Sequence, residues 1–366
     1  MAHRQIKLDD SNVKGYHDLI VPDDLRRDIL LSEKAARTVH EGRRTLVNCM
    51  AGKDKRIILA IGPCSIHDPE ADEEYSEKLL ALSRKVGDVF VMVKRAYFEK
   101  PRTTVGWKGL IYEPLLHGEE NINLGLRLAR HILVKNAEMG LLTSTEFVDT
   151  FVPQYIGDTV SMAAIGARTV ESPLHRQMAS ALSMPALFKN STRGDIEVAV
   201  EALVAAASEH WFTGLDPTNS KGAIVTSRGN KNAYIVLRGG KETGPNYHSE
   251  NVRKAQELLL ENGFVANLGV DCSHDNTIVG WADNGKATKD YKMQSTVFLD
   301  LIGQIANGNT GIKLIMLESN LKEGAQKIPK AHSKEPIKWG VSVTDACIGW
   351  EQTEELVLWA HGALRK

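Results

Sequence analysis

The chain has 366 residues, a formal net charge of -1, 42% apolar residues and 25% charged residues, the balance of a soluble globular protein with one large domain or two smaller ones. A charge near zero excludes a protein held to nucleic acid mainly by phosphate contacts, so any basic site is local. No run of about 18 apolar residues predicts a membrane span, the polar N-terminus has no signal-peptide core, and four scattered cysteines (Cys49, Cys64, Cys272, Cys347) fit a reducing cytoplasm better than a disulfide framework.

Residues 1–50 form an extension of helical character. Short β-rich runs then alternate with helical patterns. "IILAIG" 57–62 precedes a helix over 72–86, and "VFVMV" 89–93 precedes one over 123–140. "LLTSTE" 141–146, "MAAIGA" 162–167 and "ALFKN" 186–190 follow, then a helix over 194–210. Residues 211–232 read as an inserted β-hairpin. "YIVLR" 234–238, a helix over 249–263, "VANLGVD" 265–271, a helix over 293–308 and "KLIMLE" 313–318 complete the series. Eight strand–helix units over about 260 residues suit a (β/α)8 TIM barrel spanning 51–366. The alternative, a doubly wound sheet, usually carries G-x-G-x-x-G in its first turn, and "GPCSIHD" does not match.

The C-terminal strand ends of such a barrel face its active site. Cys64 follows the first strand and Arg95 the second, with Lys100 and Arg102 in the loop; Lys108 lies further along it. Glu146, Arg168, Lys189 and Arg238 end the next four strands. Asp271 and His274 end the seventh, Glu318 ends the eighth, and Asp345 lies in the last long loop. Singly, each has an ordinary explanation: a solvated cation, a packed thiol, a structural histidine, a helix N-cap. Their shared position points to a site. Arg95, Lys100, Arg102, Arg168, Lys189 and Arg238 would be too many cations for one phosphate, which carries about -1.5 to -2. They suit two phosphorylated substrates, one also a carboxylate. Cys64, His274, Glu318 and Asp345 mix thiolate, imidazole and carboxylate, a set for Mn, Fe, Co or Zn rather than Mg or Ca.

The motifs "IGPCSIHDP" 61–69, "YFEKPRTTVGWKGL" 97–110, "VPQY" 152–155, "GARTVES" 166–172 and "FKN" 188–190 resemble those of the short-chain type I 3-deoxy-D-arabino-heptulosonate 7-phosphate (DAHP) synthases. So do "LRGG" 237–240, "PNY" 245–247, "DCSH" 271–274 and "TDACIGWE" 344–351, in the same order, over about residues 15–362. The resemblance implies condensation of phosphoenolpyruvate with erythrose 4-phosphate, with release of phosphate, in aromatic amino acid biosynthesis. It implies Cys64, His274, Glu318 and Asp345 as ligands of one divalent metal, with Lys100, Cys64 and His274 catalytic. Arg95, Lys100, Arg168, Lys189 and Arg238 would hold phosphoenolpyruvate; Lys100, Pro101, Arg102, Thr103 and Asp345 would hold erythrose 4-phosphate. Crowding by arginines would lower the pKa of Lys100. The N-terminal extension would serve as an oligomerisation or regulatory arm of a homodimer or homotetramer. An aromatic amino acid is a candidate inhibitor, since Asp9, Asp10, Gln154 and Ser183 resemble pocket positions. Two stretches depart from the pattern. "TGLDPTNSKG" 213–222 points to low or absent inhibitor sensitivity, and the long "DCSHDNTIVGWADNGKATKDYKMQ" 271–294 leaves room for another sugar. Rival readings are phosphoenolpyruvate condensation with a different phosphorylated aldose, or a non-catalytic phosphosugar or amino-acid sensor.

Overall fold

Runs such as Ile57–Gly62 are apolar throughout because a parallel strand in a barrel is covered on both faces. The computed structural model describes residues 8–116, 118–282, 284–329 and 336–365. Its strands, in chain order, are β1 (Ile57–Gly62), β2 (Phe90–Arg95), β3 (Leu142–Glu146), β4 (Met162–Ile165), β5 (Ala186–Lys189) and β6 (Trp211–Leu215). There follow β7 (Gly222–Thr226), β8 (Ala233–Leu237), β9 (Leu268–Asp271), β10 (Ile278–Trp281), β11 (Ala287–Lys289) and β12 (Ile312–Glu318). Eight close a parallel barrel in the order β1-β12-β9-β8-β5-β4-β3-β2. This is the (β/α)8 architecture expected from the alternation of elements.

The period-2 alternation of a strand divides its side chains between two cores. Ile58 and Ala60 of β1 point inward with Val91, Val93, Leu187, Val236, Leu314 and Met316. Ile57, Leu59 and Ile61 point outward against the helices. Leu46, Cys49 and Met50 join the inner cluster. They come from helix Glu33–Met50, whose N-cap Ser32 accepts the Ala35 N–H at 3.1 Å. The extension thus helps fill the barrel from the end opposite the catalytic strand ends. One outward-facing residue is charged: Lys94 Nζ meets Asp72 at 2.5 Å and Ser76 at 2.6 Å, all buried in the wall.

Two hairpins interrupt the alternation. β6 and β7 pair antiparallel between helix Glu197–Ala207 and β8, and the Asp23 N–H donates to Pro217 O at 3.0 Å, tying the extension to this hairpin. The second, β10–β11, was not anticipated from the sequence. It rises directly from the turn that carries His274 and turns over at Asn284–Gly285, where Gly285 has φ +74. Helices Pro173–Ala181 and Trp350–Leu364 were also not anticipated. The first buries only Met178, Ala179 and Ser180. The second leaves Leu358 and Trp359 half exposed, which blurs its apolar stripe.

Candidate active site

The register sets the strand ends level. Gly62 of β1 pairs with Glu318 of β12, so the turn to Cys64 begins beside the Glu318 backbone. The loop carrying Asp345 is stitched to the same place: Ile348 N–H donates to Glu318 O at 3.0 Å, and Ser65 and Thr344 hydroxyls meet at 2.7 Å. Donor atoms of Cys64, Glu318 and Asp345 consequently lie within 4.8 Å of one another. Bonds of about 2.0–2.3 Å to a shared ion need separations of that order, so thiol and carboxylates fit a divalent metal. His274 stands beside them, with Nε2 3.8 Å from Glu318 Oε1. Its backbone is left-handed, φ 61, a conformation costing a non-glycine residue about 1–2 kcal/mol. Its Nδ1 is engaged by Ser273 Oγ at 2.6 Å and Asp271 Oδ2 at 3.0 Å, which fixes the ring and directs Nε2 toward the acids.

The cations close around this cluster. Lys100 Nζ donates to Cys64 O at 2.6 Å and lies 3.0 Å from Cys64 Sγ. Arg95, fully buried, donates to Glu318 Oε1 at 2.9 Å and stacks 4.1 Å above the Tyr97 ring. Lys189 pairs with Asp271 at 2.7 Å, and Arg238 pairs with Asp275. Arg168 lies three residues beyond β4 and donates to Pro101 O at 3.1 Å. Arg102 donates to Trp107 O at 2.9 Å. Lys100, Pro101, Arg102, Arg168, Lys189, Arg238, His274, Glu318 and Asp345 all line one cavity of about 320 Å³. Cys64 and Arg95 are not on its lining, and Thr103 is exposed outside it. Glu146 reaches the cavity because residue 166 is glycine: a Cβ there would lie 2.1 Å from Glu146 Oε1. Lys241 and Lys289 also line it. Neither lies at a barrel strand end, so the strand-end rule missed both. The Asn284–Gly285 pair was the available hairpin signal for Lys289.

Burial, reinforced by Glu318, pushes the Cys64 thiol up to about 11 against the pull of Lys100. A coordinated divalent cation reverses that logic, since thiolate is the ligating form. Burial opposes the charge on Lys100, but Cys64, Glu318 and Asp345 outweigh it and hold its pKa above the usual lysine value. The depression expected from arginine crowding is therefore wrong: the groups that set its direction are Cys64, Glu318 and Asp345, not the neighbouring arginines. Burial likewise raises Asp271, but Lys189 and then His274 bring it well below the usual carboxylate range.

Glu99 sits behind Lys100. Its Oε1 accepts the Asp149 N–H at 2.9 Å and its Oε2 the Val148 N–H at 3.2 Å, yet burial pushes its pKa from 4.5 up to about 8. Between those values the folded protein holds a proton that the unfolded chain releases, so stability falls as pH rises through that window. Glu99→Gln, which cannot titrate, should gain on the parent by on the order of 5 kcal/mol from acid to alkaline pH. Urea unfolding across that range reads this; parallel stability curves would contradict it.

Comparison with known proteins agrees over nearly the whole chain. The family model described as the DAHP synthetase I family matches residues 29–358. The Escherichia coli K12 Phe-sensitive phospho-2-dehydro-3-deoxyheptonate aldolase is 44% identical, covering 95% of each chain. The Saccharomyces cerevisiae phenylalanine-inhibited enzyme of that name is 41% identical over 96% of this chain and 92% of its own. A solved phospho-2-dehydro-3-deoxyheptonate aldolase from Francisella tularensis SCHU S4 superposes with TM-score 0.90 at 40% identity, covering 97% of this chain and 99% of that one. A barrel with this register, this mouth and this extent of likeness has one home: the chain belongs to the DAHP synthetase I family.

Proposed function

We propose that this protein condenses phosphoenolpyruvate with D-erythrose 4-phosphate and water to give DAHP and phosphate, the first step of the shikimate pathway to aromatic amino acids. The supporting observation is the meeting of Cys64, Glu318 and Asp345 within 4.8 Å beneath a ring of cations at one barrel mouth. Cys64, His274, Glu318 and Asp345 would hold one divalent ion, Mn, Fe, Co or Zn, by the mixed softness of their donors. Bound there, the ion supplies Lewis-acid polarisation of the sugar aldehyde. Lys100, Arg168, Lys189 and Arg238, with Arg95 buried behind the lining, hold phosphoenolpyruvate, and Lys100, Pro101, Arg102 and Asp345 hold erythrose 4-phosphate; Thr103, exposed outside the cavity, drops out of that set. Two anions that repel are thereby aligned by fixed positive charge. Carbon 3 of phosphoenolpyruvate bonds to the aldehyde carbon, water adds at carbon 2, and the hemiketal phosphate expels phosphate. Lys100, 3.0 Å from Cys64 Sγ at the cavity, donates to the aldehyde oxygen; the attacking water returns a proton.

Phosphate release from phosphoenolpyruvate with a panel of aldose phosphates, with and without a chelator, tests this. Release should require erythrose 4-phosphate, stop with chelator and return with added metal. Release without an aldose, preference for another aldose, or indifference to chelator would each overturn it.

The described part of the extension exposes Leu8 (91%) and Tyr16 (79%), and β6 and β7 expose Trp211 (71%) and Ile224 (80%). These apolar side chains support residues 1–50 as an oligomerisation or regulatory arm on the 51–366 barrel, in a homodimer or homotetramer. Among the described residues no helix is long and apolar enough to cross a membrane, and the four cysteines are unpaired, which supports a cytoplasmic enzyme. Gln154 and Ser183 line a second cavity of about 280 Å³ with Arg26, Phe212 and Gly214; Asp9 and Asp10 do not. Relatives named Phe-sensitive and Tyr-sensitive support an aromatic amino acid there, against the low sensitivity expected from segment 213–222. Titrating Phe, Tyr and Trp into the assay should give inhibition by at least one below about 1 mM; inhibition by none restores the earlier expectation.

A further inference from the structure

Asp275 is fully buried beside the phosphoenolpyruvate cation Arg238 and sets its carboxylate between that arginine and Lys289. Oδ2 accepts from Arg238 Nη1, and Oδ1 makes an ion-pair contact of 2.5 Å with Lys289 Nζ whose angles fall outside hydrogen-bond geometry. All three residues line the 320 Å³ cavity. A carboxylate shared by two cations neutralises neither. Arg238 Nε is buried and, among the described residues, has no hydrogen-bond partner. Lys289 keeps two of its three ammonium donors beyond the Asp275 contact, on a side chain 40% exposed toward the mouth.

The hairpin β10–β11 holds this lysine in place. At its base Lys289 pairs with Ile278, and the Asp290 N–H donates to Thr277 O at 3.0 Å. Further out, Trp281 rests on the Gly240–Gly244 turn: a Cβ on Gly244 would lie 3.3 Å from Trp281 Cη2. That turn carries Lys241, also on the cavity lining. A lysine on a paired strand loses less freedom on binding an anion than one on a loose loop.

We propose that Lys289, which neither the strand-end pattern nor the motif carry-over selects, is a substrate-positioning residue. It completes, with Arg238 and through Asp275, the subsite for the phosphate of phosphoenolpyruvate. This rests on the reaction proposed above. The test compares Lys289→Met and Lys289→Arg in the metal-loaded enzyme, by steady-state kinetics for each substrate and by calorimetric titration with phosphoenolpyruvate alone. Lys289→Met should raise both KM and Kd for phosphoenolpyruvate about tenfold, with kcat changed less than about threefold and the erythrose 4-phosphate KM nearly constant. Lys289→Arg should recover most of the loss. Unchanged phosphoenolpyruvate constants in Lys289→Met, a change confined to erythrose 4-phosphate, or equal losses in both variants with a lowered Tm would each overturn the proposal. A parent enzyme that binds phosphoenolpyruvate but forms no DAHP would defeat the reaction, while the Kd comparison still decides the role of Lys289.

Discussion

Cys64→Ala is expected to cut phosphate release at least about a thousandfold and to leave the purified protein largely free of its divalent ion, with the fold intact. The thiol is the one soft donor among the four proposed ligands; His274, Glu318 and Asp345 without it make a harder and weaker set. Local structure should survive. Lys100 is also held by the Cys64 carbonyl at 2.6 Å, and Ile66 N–H donates to Tyr97 O at 2.9 Å, so the turn after β1 keeps its backbone anchors. Removing one buried sulfur costs about 1–2 kcal/mol in lost packing, too little to unfold a barrel of this size. Elemental analysis per chain, the phosphate assay and thermal unfolding separate these effects. A variant that keeps a full complement of metal and more than about a tenth of its activity removes Cys64 from the ligand set.

The barrel was legible because its strands are buried on both faces and their C-terminal ends coincide with charged residues, from Arg95 at the end of β2 to Glu318 at the end of β12. What was not legible is pairing across the mouth. Lys100 looked crowded by cations because Arg95 and Arg102 are its neighbours along the chain. Its nearest charges in space come from the turn after β1, the end of β12 and the loop at Asp345, contacts separated by up to 281 residues in the ring around Cys64. The same holds for three buried cations of the mouth: Arg95 with Glu318, Lys189 with Asp271 and Arg238 with Asp275 join different strand ends. The left-handed turn at His274 leaves no mark in composition, and Lys289 is brought to the cavity by a hairpin outside the strand–helix alternation.

Lys189→Met should both inactivate the enzyme and destabilise it by about 3–5 kcal/mol, because it breaks a buried ion pair from one side. Lys189 and Asp271 are each almost wholly buried, 2.7 Å apart. Asp271 is the hub of the His274 turn. It accepts the Ser273 N–H at 3.0 Å and the Ser273 hydroxyl at 2.6 Å, and it engages His274 Nδ1 at 3.0 Å. Without Lys189 that carboxylate is left with Arg95 and the His274 Nδ1 contact as its remaining favourable partners. Activity should fall by at least about a hundredfold, through both the lost phosphoenolpyruvate cation and the disturbed ring. Adding Asp271→Asn removes the unpaired charge, so the double variant should regain most of the stability. It should not regain activity, because the asparagine amide that replaces one oxygen cannot accept from the Nδ1 N–H that orients Nε2. Urea unfolding of both variants beside the phosphate assay reads the two effects separately; a single variant as stable as the parent, or a double variant restored in rate, would contradict the assignment of Asp271 as the residue that orients His274.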